Sequence, residues 1–285
     1  MFGKLSVMFA MSLSLAQQEG EVEIVKGKPE KVDIVLLQDE SGSMDYTDPN
    51  GVRRLAASFL IDELSIAGKG NDMALVIFAS DVDTATQLTH DFRTIRRLSE
   101  RGIRVMLKGA DYIRAAPPRA FTDIFGALKE AEKILSRSSE EVEVEGETYR
   151  KTRYVLLLTD GMVDPWPGNR DRYGDLAVEY LEYIRDVPLG QRYMKGRRFR
   201  SKAASIDSSR IASEIINLFR EKGWKIYTVG FSSGVDSRFL RWLAESTYGE
   251  SGIVRNYTQL DSILSKVIPK AENLVLILAR DFCRT

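Results

Sequence analysis

The apolar residues of the chain fall into two alternating patterns. Short runs that are almost entirely apolar and rich in Val, Ile and Leu are typical of parallel strands covered on both faces. These runs predict strands at 32–38, 73–79, 154–158, 225–230 and 253–256, with one more short strand at 84–88. Between them, apolar residues recur at the spacing of an α-helix and predict helices at 55–67, 92–101, 124–135, 176–186, 211–222, 237–246 and 260–267.

Strands that alternate with helices are typical of a mostly parallel sheet with helices on both faces. We therefore predict an α/β fold with a Rossmann-like, doubly wound, mostly parallel six-stranded sheet. If the strand order is 3-2-1-4-5-6, as in many such folds, the first and fourth strands are neighbours where the order reverses.

Two stretches interrupt this alternation. Acidic residues and valines alternate over 141–147, which predicts a small hairpin with Gly146 near its turn. Residues 163–209 form a long insertion between a strand and a helix, and excursions of this length inside a compact domain usually serve a function. The insertion contains a basic segment from Arg192 to Lys202, which we interpret as a solvated face or as a rim that attracts acidic partners.

The composition narrows the chemistry that the chain can perform. Its 285 residues carry 41 Lys and Arg against 41 Asp and Glu, so the net charge is near zero and nucleic acid is not an expected partner. The single cysteine, Cys283, excludes an internal disulfide and a cysteine metal cluster. The single histidine, His90, excludes a zinc site built from several imidazoles and disfavours a mechanism with a histidine base.

The N-terminal residues have the pattern of a secretory signal. A lysine at position 4 precedes an apolar run from Leu5 to Ala16, small residues end the run, and polar residues follow it. We expect a signal peptide at 1–16, a lead-in at 17–30, one domain at 31–270 and a C-terminal tail at 271–285. The protein is then exported to the periplasm or the extracellular space. The alternative is a cytoplasmic protein that begins with an ordinary strand or helix. No other membrane span is expected, because no later stretch reaches about 18 uninterrupted apolar residues.

Carboxylates and hydroxyls stand at the predicted ends of strands and at the start of a helix. Asp39, Ser41 and Ser43 follow the first strand, Asp160 follows the central strand, and Thr122 stands at the front of a predicted helix. In an open parallel sheet, ligands bind beyond the carboxyl ends of the strands, where the strand order reverses. We therefore expect Asp39 and Asp160 to lie close together in one crevice.

Two carboxylates in one crevice repel each other unless a cation lies between them. Oxygen ligands without sulfur or imidazole select Mg²⁺, Ca²⁺ or Mn²⁺. Ser41, Ser43 and Thr122 can supply neutral oxygens, while Asp39 and Asp160 can act directly or through water. Because neutral ligands leave the ion electrophilic, a carboxylate of another protein would complete its octahedral coordination.

The three segments resemble the metal-ion-dependent adhesion site (MIDAS) of the von Willebrand factor A (vWA) domain family. The pattern of that family is DxSxS, then a threonine in a later loop, then the aspartate of a TDG-like string. All five positions match, as Asp39, Ser41, Ser43, Thr122 and Asp160. The resemblance implies a vWA fold over most of the chain and a protein-binding module. In such a module Mg²⁺, or Ca²⁺ or Mn²⁺, bridges to an acidic side chain of a partner protein.

Two departures from the family pattern affect the binding face. The loop before Thr122 lacks the glycines often found there, and the insertion after Gly161 is long. The identity of the partner and the oligomeric state therefore do not transfer from the family.

Four acidic residues flank the predicted ligands. We expect Glu40 and Asp123 to face solvent or to support the ligand residues. We expect Asp45 and Asp48 to be solvated loop residues rather than ligands. In the alternative interpretation, the Asp and Ser residues of this loop serve only as helix caps and turn residues.

Two other functions remain as alternatives. A Mg²⁺-dependent phosphohydrolase of the haloacid-dehalogenase kind also places an aspartate after the first strand of a parallel sheet. Such enzymes need a second acid two positions on, where this chain has Ser41. A metal-independent assembly or scaffold subunit would need none of the oxygen ligands. We expect a binding module rather than an enzyme, because the five-residue oxygen site comes without a general base.

Overall fold

The computed structural model describes residues 30–102, 122–161, 163, 170–185, 187, 195–231 and 235–254. The predicted signal peptide, the predicted helix at 260–267 and the C-terminal tail lie outside the described residues. Across the part of the chain that is described, no helix is both long and apolar enough to cross a bilayer.

The described strands form one mixed sheet. They are β1 (Lys31–Asp39), β2 (Asp72–Phe78), β3 (Val82–Thr89), β4 (Glu141–Val144), β5 (Glu147–Thr159), β6 (Lys225–Phe231) and β7 (Ser251–Val254). Their order is β3-β2-β1-β5-β6-β7, and β4 pairs with β5 beside this path. All neighbours on the path are parallel except β3, which is antiparallel to β2. The six strands of the path have the order 3-2-1-4-5-6 when β4 is left out, so the predicted doubly wound α/β sheet is confirmed.

Helices surround this sheet. They are α1 (Met44–Thr47), α2 (Val52–Ile66), α3 (Phe92–Arg101), α4 (Ile124–Ser136), α5 (Arg170–Tyr173), α6 (Asp175–Arg185), α7 (Arg197–Ile211), α8 (Asn217–Lys222) and α9 (Ser237–Glu245). A π-helical segment, Ala212–Ile216, joins α7 to α8. The longer helices lie close to those that the apolar spacing predicts, apart from the start of α7, whereas the short helices α1 and α5 were not predicted.

Both faces of the sheet are buried, because successive side chains of a strand point to opposite faces. On β1, Val35 and Leu37 pack into one core together with residues of α4, α7 and α9. Ile34 and Leu36 pack into a second core together with residues of α2 and α3. The continuous apolar run of β1 is thus explained by burial on both faces.

The helix predicted to begin at Ile211 begins earlier, at Arg197. Its buried face is formed by residues spaced four apart, Phe199, Ala203, Asp207 and Ile211. The buried aspartate interrupts the apolar stripe, and several basic residues surround the stripe, so the helical period is hidden in the sequence. The end of the predicted basic segment therefore belongs to α7.

The predicted hairpin at 141–147 is confirmed. β4 and β5 pair antiparallel, with Val144 opposite Glu147, so Glu145 and Gly146 form a two-residue turn. Both turn residues have positive φ, 56° and 84°. A type I′ turn requires positive φ at both central residues, and glycine adopts this conformation without steric cost.

Candidate metal centre

The carboxyl ends of β1 and β5 meet where the strand order reverses. The two strands pair in parallel with Gln38 opposite Leu158, so Asp39 lies beside Thr159 and Asp160 follows at the same edge. Thr159 Oγ1 donates a hydrogen bond of 2.5 Å to Asp39 Oδ2. The structure thus brings the two predicted carboxylates close together at one edge of the sheet.

The two carboxylates share a buried environment. Asp39 and Asp160 are both 0% exposed. Burial, and after it the negative charge of Asp160, raise the pKa of Asp39 to about 7, although hydrogen bonds from Thr159 and Ser41 favour its ionised form. A cation beside the pair would reverse this balance, because it stabilises both carboxylates in their charged form.

The loop after β1 places its two serines by local hydrogen bonds. The backbone N–H of Ser41 donates to Asp39 Oδ1 at 2.8 Å, which folds the loop back onto the carboxylate. Ser41 Oγ and Ser43 Oγ lie 3.0 Å apart. Because α1 begins at Met44, the serine hydroxyls are held between the end of a strand and the start of a helix.

Thr122 reaches the same edge of the sheet from the loop before α4. Asp123 N donates to Ala79 O and Glu40 N donates to Phe78 O, each at 2.8 Å, so the two loops are fixed to consecutive carbonyls at the end of β2. Thr122 is 0% exposed, and its Oγ1 is buried without a hydrogen-bond partner. A buried polar atom in this state costs about 1–3 kcal/mol, which a bound ligand would offset.

The turn after β5 requires glycine. Gly161 has φ of 74°, and a Cβ at this position would lie 3.0 Å from Leu240 Cγ. The backbone of Asp160 is fixed by a hydrogen bond of 3.0 Å from Asp236 N to Asp160 O. The side chain of Asp160 accepts a hydrogen bond of 3.1 Å at Oδ2 from Thr47 Oγ1 of α1. Asp160 is therefore held from both the α1 and the α9 side.

Of the two roles expected for Glu40, facing solvent or supporting the ligand residues, the first is wrong. Its side chain is fully buried and lies 2.9 Å from guanidinium nitrogens of both Arg53 and Arg54 of α2. Burial alone would raise the pKa of Glu40, but the hydrogen bonds and charges of the two arginines outweigh it and lower that pKa. The network fixes the residue next to Asp39 to the start of α2.

Asp48 is also not a solvated loop residue. Its exposed fraction is 4%, because its side chain accepts hydrogen bonds from Val52 N and Arg53 N and forms an ion pair with Arg53. It satisfies free N–H groups at the first turn of α2. Asp45, in contrast, is exposed, as expected.

Asp123 supports the site rather than facing solvent. Its carboxylate accepts a hydrogen bond from Gly126 N at 2.8 Å and so caps the N-terminus of α4. It also pairs with Arg172 of α5. Asp123, the residue directly after Thr122, is thus fixed by contacts with both α4 and α5.

The donor set fits a hard divalent cation. Asp39 and Asp160 supply carboxylates, while Ser41, Ser43 and Thr122 supply hydroxyls, and ligands of this kind suit Mg²⁺, Ca²⁺ or Mn²⁺. Among the described residues, no three Asp, Glu, His or Cys side chains lie together as a potential metal-binding group. Any ion bound here would depend on the hydroxyls. It would reduce the repulsion between the carboxylates and give the Thr122 hydroxyl a partner.

Comparison with known proteins finds similarity among solved structures. No family model and no curated protein match the chain. The matching structures include proximal thread matrix protein 1 from the mussel byssus, 17% identical over 85% of this chain and 48% of that chain, with a TM-score of 0.47. The vWF domain of the type V pili tip protein Mfa5 from Porphyromonas gingivalis is 14% identical over 84% of this chain and 95% of that chain, with a TM-score of 0.48. Manganese-loaded TRAP protein from Plasmodium vivax is 18% identical over 83% of this chain and 72% of that chain, with a TM-score of 0.46.

The fold is similar to that of vWA domains. The match covers 48% of the mussel protein, so the chain spans about half of that protein's length. Likeness at these identities concerns the fold and says nothing about the ligand or the partner of this chain.

Three residues at the site were not singled out from the sequence. Thr159 and Thr47 contact the two carboxylates, and Arg172 pairs with Asp123. Thr159 lies within the string that contains Asp160, and its position next to that aspartate was a usable signal. Thr47 and Arg172 carry no such signal, because each comes close to its partner only through the packing of separate elements.

Proposed function

We propose that this protein is a divalent-metal-dependent binding module. Mg²⁺, or Ca²⁺ or Mn²⁺, is held by Asp39, Ser41, Ser43, Thr122 and Asp160, and an acidic side chain of a partner protein completes the coordination. The observation that carries this proposal is that two fully buried carboxylates and a buried, unpartnered threonine hydroxyl lie at the same edge of the sheet. When bound, the ion supplies a Lewis acid that attracts the partner's carboxylate.

The surrounding residues of the chain orient this donor set. Thr159 and the backbone of Ser41 occupy one oxygen each of the Asp39 carboxylate, which fixes its plane. Glu40 is held by the two arginines of α2, so the loop that carries the serines is anchored immediately beyond Asp39. An ion site of this kind gains affinity when its ligands are held in place before binding.

A role in binding is favoured over catalysis by the surroundings of Asp39. A phosphohydrolase nucleophile must reach its substrate, but Asp39 is 0% exposed and both of its oxygens accept hydrogen bonds. We expect no turnover of an aryl phosphate in the presence of Mg²⁺. Reproducible turnover that disappears in Asp39→Asn would instead favour the enzyme.

The central experiment measures Mn²⁺ binding by calorimetry for three proteins. These are the wild type, Asp39→Ala, and Asp45→Ala as a matched control that removes an exposed acid from the adjacent helix α1. We expect binding by the wild type and Asp45→Ala, and none by Asp39→Ala. Binding to the folded state alone should stabilise the wild type by about 2.7 kcal/mol at a hundredfold excess over Kd. Equal binding by Asp39→Ala and wild type would overturn the site.

The partner's role can be probed with glutarate, whose carboxylates imitate an acidic side chain. We expect glutarate to lower the water-proton relaxivity of the Mn²⁺-loaded protein, because a ligand carboxylate replaces a metal-bound water. An unchanged relaxivity would argue against the completion of the coordination by an acid. If native mass spectrometry finds no ion bound to the protein at physiological Mg²⁺, that result would favour a metal-independent scaffold.

We also propose that the module acts outside the cytoplasm, on the basis of the signal-like pattern at residues 1–16. Cell fractionation of the full chain tests this, with a chain that lacks residues 1–16 as the control. Recovery of both forms in the cytoplasm would contradict export.

A further inference from the structure

A buried guanidinium from the predicted insertion lies beside the candidate metal centre. Arg172 belongs to α5, and its side chain is only 9% exposed. Its Nη1 donates to Asp123 Oδ1, and its Nη2 donates to Asp123 Oδ2 at 3.3 Å. The guanidinium also lies over the ring of Phe125, 4.6 Å from the ring centre. A two-point contact of this kind fixes the orientation of a carboxylate as well as its position.

The carboxylate that Arg172 holds belongs to the residue after Thr122. Asp123 Oδ1 also accepts the hydrogen bond from Gly126 N, and Asp123 N donates to Ala79 O. The loop that carries Thr122 is therefore fixed by its backbone to β2 and by its side chain to α4 and α5.

The other side of α5 is fixed to α7. Tyr173 OH donates to Asp207 Oδ2 at 3.1 Å, and Arg172 Nη1 lies 3.9 Å from the same oxygen. Asp207 is 0% exposed. Arg172 thus lies between two buried aspartates, one beside the threonine of the site and one on α7, the long helix at the end of the insertion.

We infer that Arg172 is a positioning residue for the metal site: by holding Asp123, it keeps the Thr122 hydroxyl in its place at the edge of the sheet, so that the insertion is part of the site. The inference rests on the proposed function, since it assigns a supporting residue to the same ion. Residues that hold metal ligands through a second contact typically contribute tenfold to a hundredfold to metal affinity, so a loss of about tenfold or more is expected without Arg172.

The chain offers a matched control at the opposite end of the sheet. Lys151 is also a buried cation, 7% exposed, and forms ion pairs of 2.7 Å with both Asp33 and Asp72. It pairs with Lys31 at the start of β1, whereas the metal centre lies at the other end of that strand. Removing either cation takes one cationic partner away from two acids, but only Arg172 is connected to Thr122.

The experiment measures the Kd for Mn²⁺ by calorimetry and the EPR spectrum of the bound ion. We expect Arg172→Met to raise Kd about tenfold or more and to alter the spectrum. Lys151→Met should keep Kd within about twofold, as expected for a distant site. If Arg172→Met binds Mn²⁺ as the wild type does, while Asp39→Ala has lost binding, the inference is wrong and the proposed function stands. If the wild type binds no ion, both are wrong.

A second variant keeps the test decisive if Arg172→Met folds poorly. Asp123→Asn retains a good helix cap for α4 but removes the charge that Arg172 holds. We expect it to raise Kd by a similar factor, and the double variant to be no worse than either single variant, because both break one contact. Losses that multiply in the double variant would show that Arg172 does not act through Asp123.

Discussion

Asp207 offers a sharp test of the electrostatics, because a carboxyl group inside the fold should be destabilising once it is ionised. Its side chain is buried, its Oδ1 has no hydrogen-bond partner, and its Oδ2 accepts one hydrogen bond from Tyr173. Burial raises the pKa of Asp207 from 3.8 to about 7, even though Arg172 and Tyr173 favour the charged form. The perturbation is Asp207→Asn, which imitates the protonated side chain at every pH.

The sign and size of the effect follow from proton linkage. The folded state holds its proton up to about pH 7, whereas the unfolded state has released it above about pH 4. The folded state therefore binds more protons between these values, and the free energy of unfolding falls as the pH rises. At about 1.36 kcal/mol for each pH unit, Asp207 should reduce the stability of the wild type by about 2.5 kcal/mol between pH 5 and pH 8.

The assay is denaturant unfolding of the wild type and Asp207→Asn at pH 5 and pH 8, with a chelator present in all samples. Other titrating groups occur in both proteins, so the difference between them isolates Asp207. We expect the free energy of unfolding of the variant, relative to that of the wild type, to rise by about 2.5 kcal/mol from pH 5 to pH 8. A difference that is the same at both pH values would refute the reasoning.

Three further predictions concern the metal centre and its supports. Thr122→Val removes a buried hydroxyl without a partner, so in the absence of metal we expect the variant to be as stable as the wild type or more stable, by up to about 1–3 kcal/mol. We also expect it to bind Mn²⁺ more weakly. A loss of stability in denaturant unfolding with chelator would contradict this prediction. Gly161→Ala should cost more than about 1 kcal/mol, because φ is 74° and the new Cβ would lie 3.0 Å from a leucine side chain. Gly146→Ala, at φ of 84° with nothing within 4 Å of the new Cβ, is the control, and equal losses in both variants would show that the close approach at Gly161 does not matter. Arg53→Met removes one of the two arginines that pair with the fully buried Glu40 and should cost up to about 3–5 kcal/mol of unfolding free energy, with part of that cost recovered in Arg53→Met combined with Glu40→Gln. A double variant as unstable as the sum of the two single variants would show that the pair is not coupled.

Much of the candidate site could be predicted because its residues follow elements with strong patterns. Asp39 and Asp160 come directly after apolar strands, and parallel strands end at one edge of a sheet, so their meeting followed once the strand order was correct. The states of the flanking acids could not be predicted in the same way. Glu40 and Asp48 are polar residues in loops, and the placement of Arg53 and Arg54 of α2 against them explains why both are buried.

The predicted insertion shows the same limit. Helix α6 was visible in the sequence as apolar spacing, but the start of α7 was hidden by Asp207 in the buried stripe. A buried aspartate is tolerated there because Tyr173 and Arg172 come from another helix to meet it. The contacting residues are about 35 positions apart in the sequence, and no local sequence pattern indicates that they meet.

The sequence by itself determined the α/β class, the hairpin at 141–147 and the mostly parallel sheet, and it suggested five candidate oxygen ligands, because these depend on periodicity and on residues next to strand ends. The tertiary structure decided which of these oxygens are buried, which lack a partner and which cations hold the loops around them. Burial and pairing depend on residues distant in the chain, whose contacts form only when the elements pack. For that reason the Thr122 hydroxyl without a partner and the contact between Arg172 and Asp123 could be found only in the folded molecule.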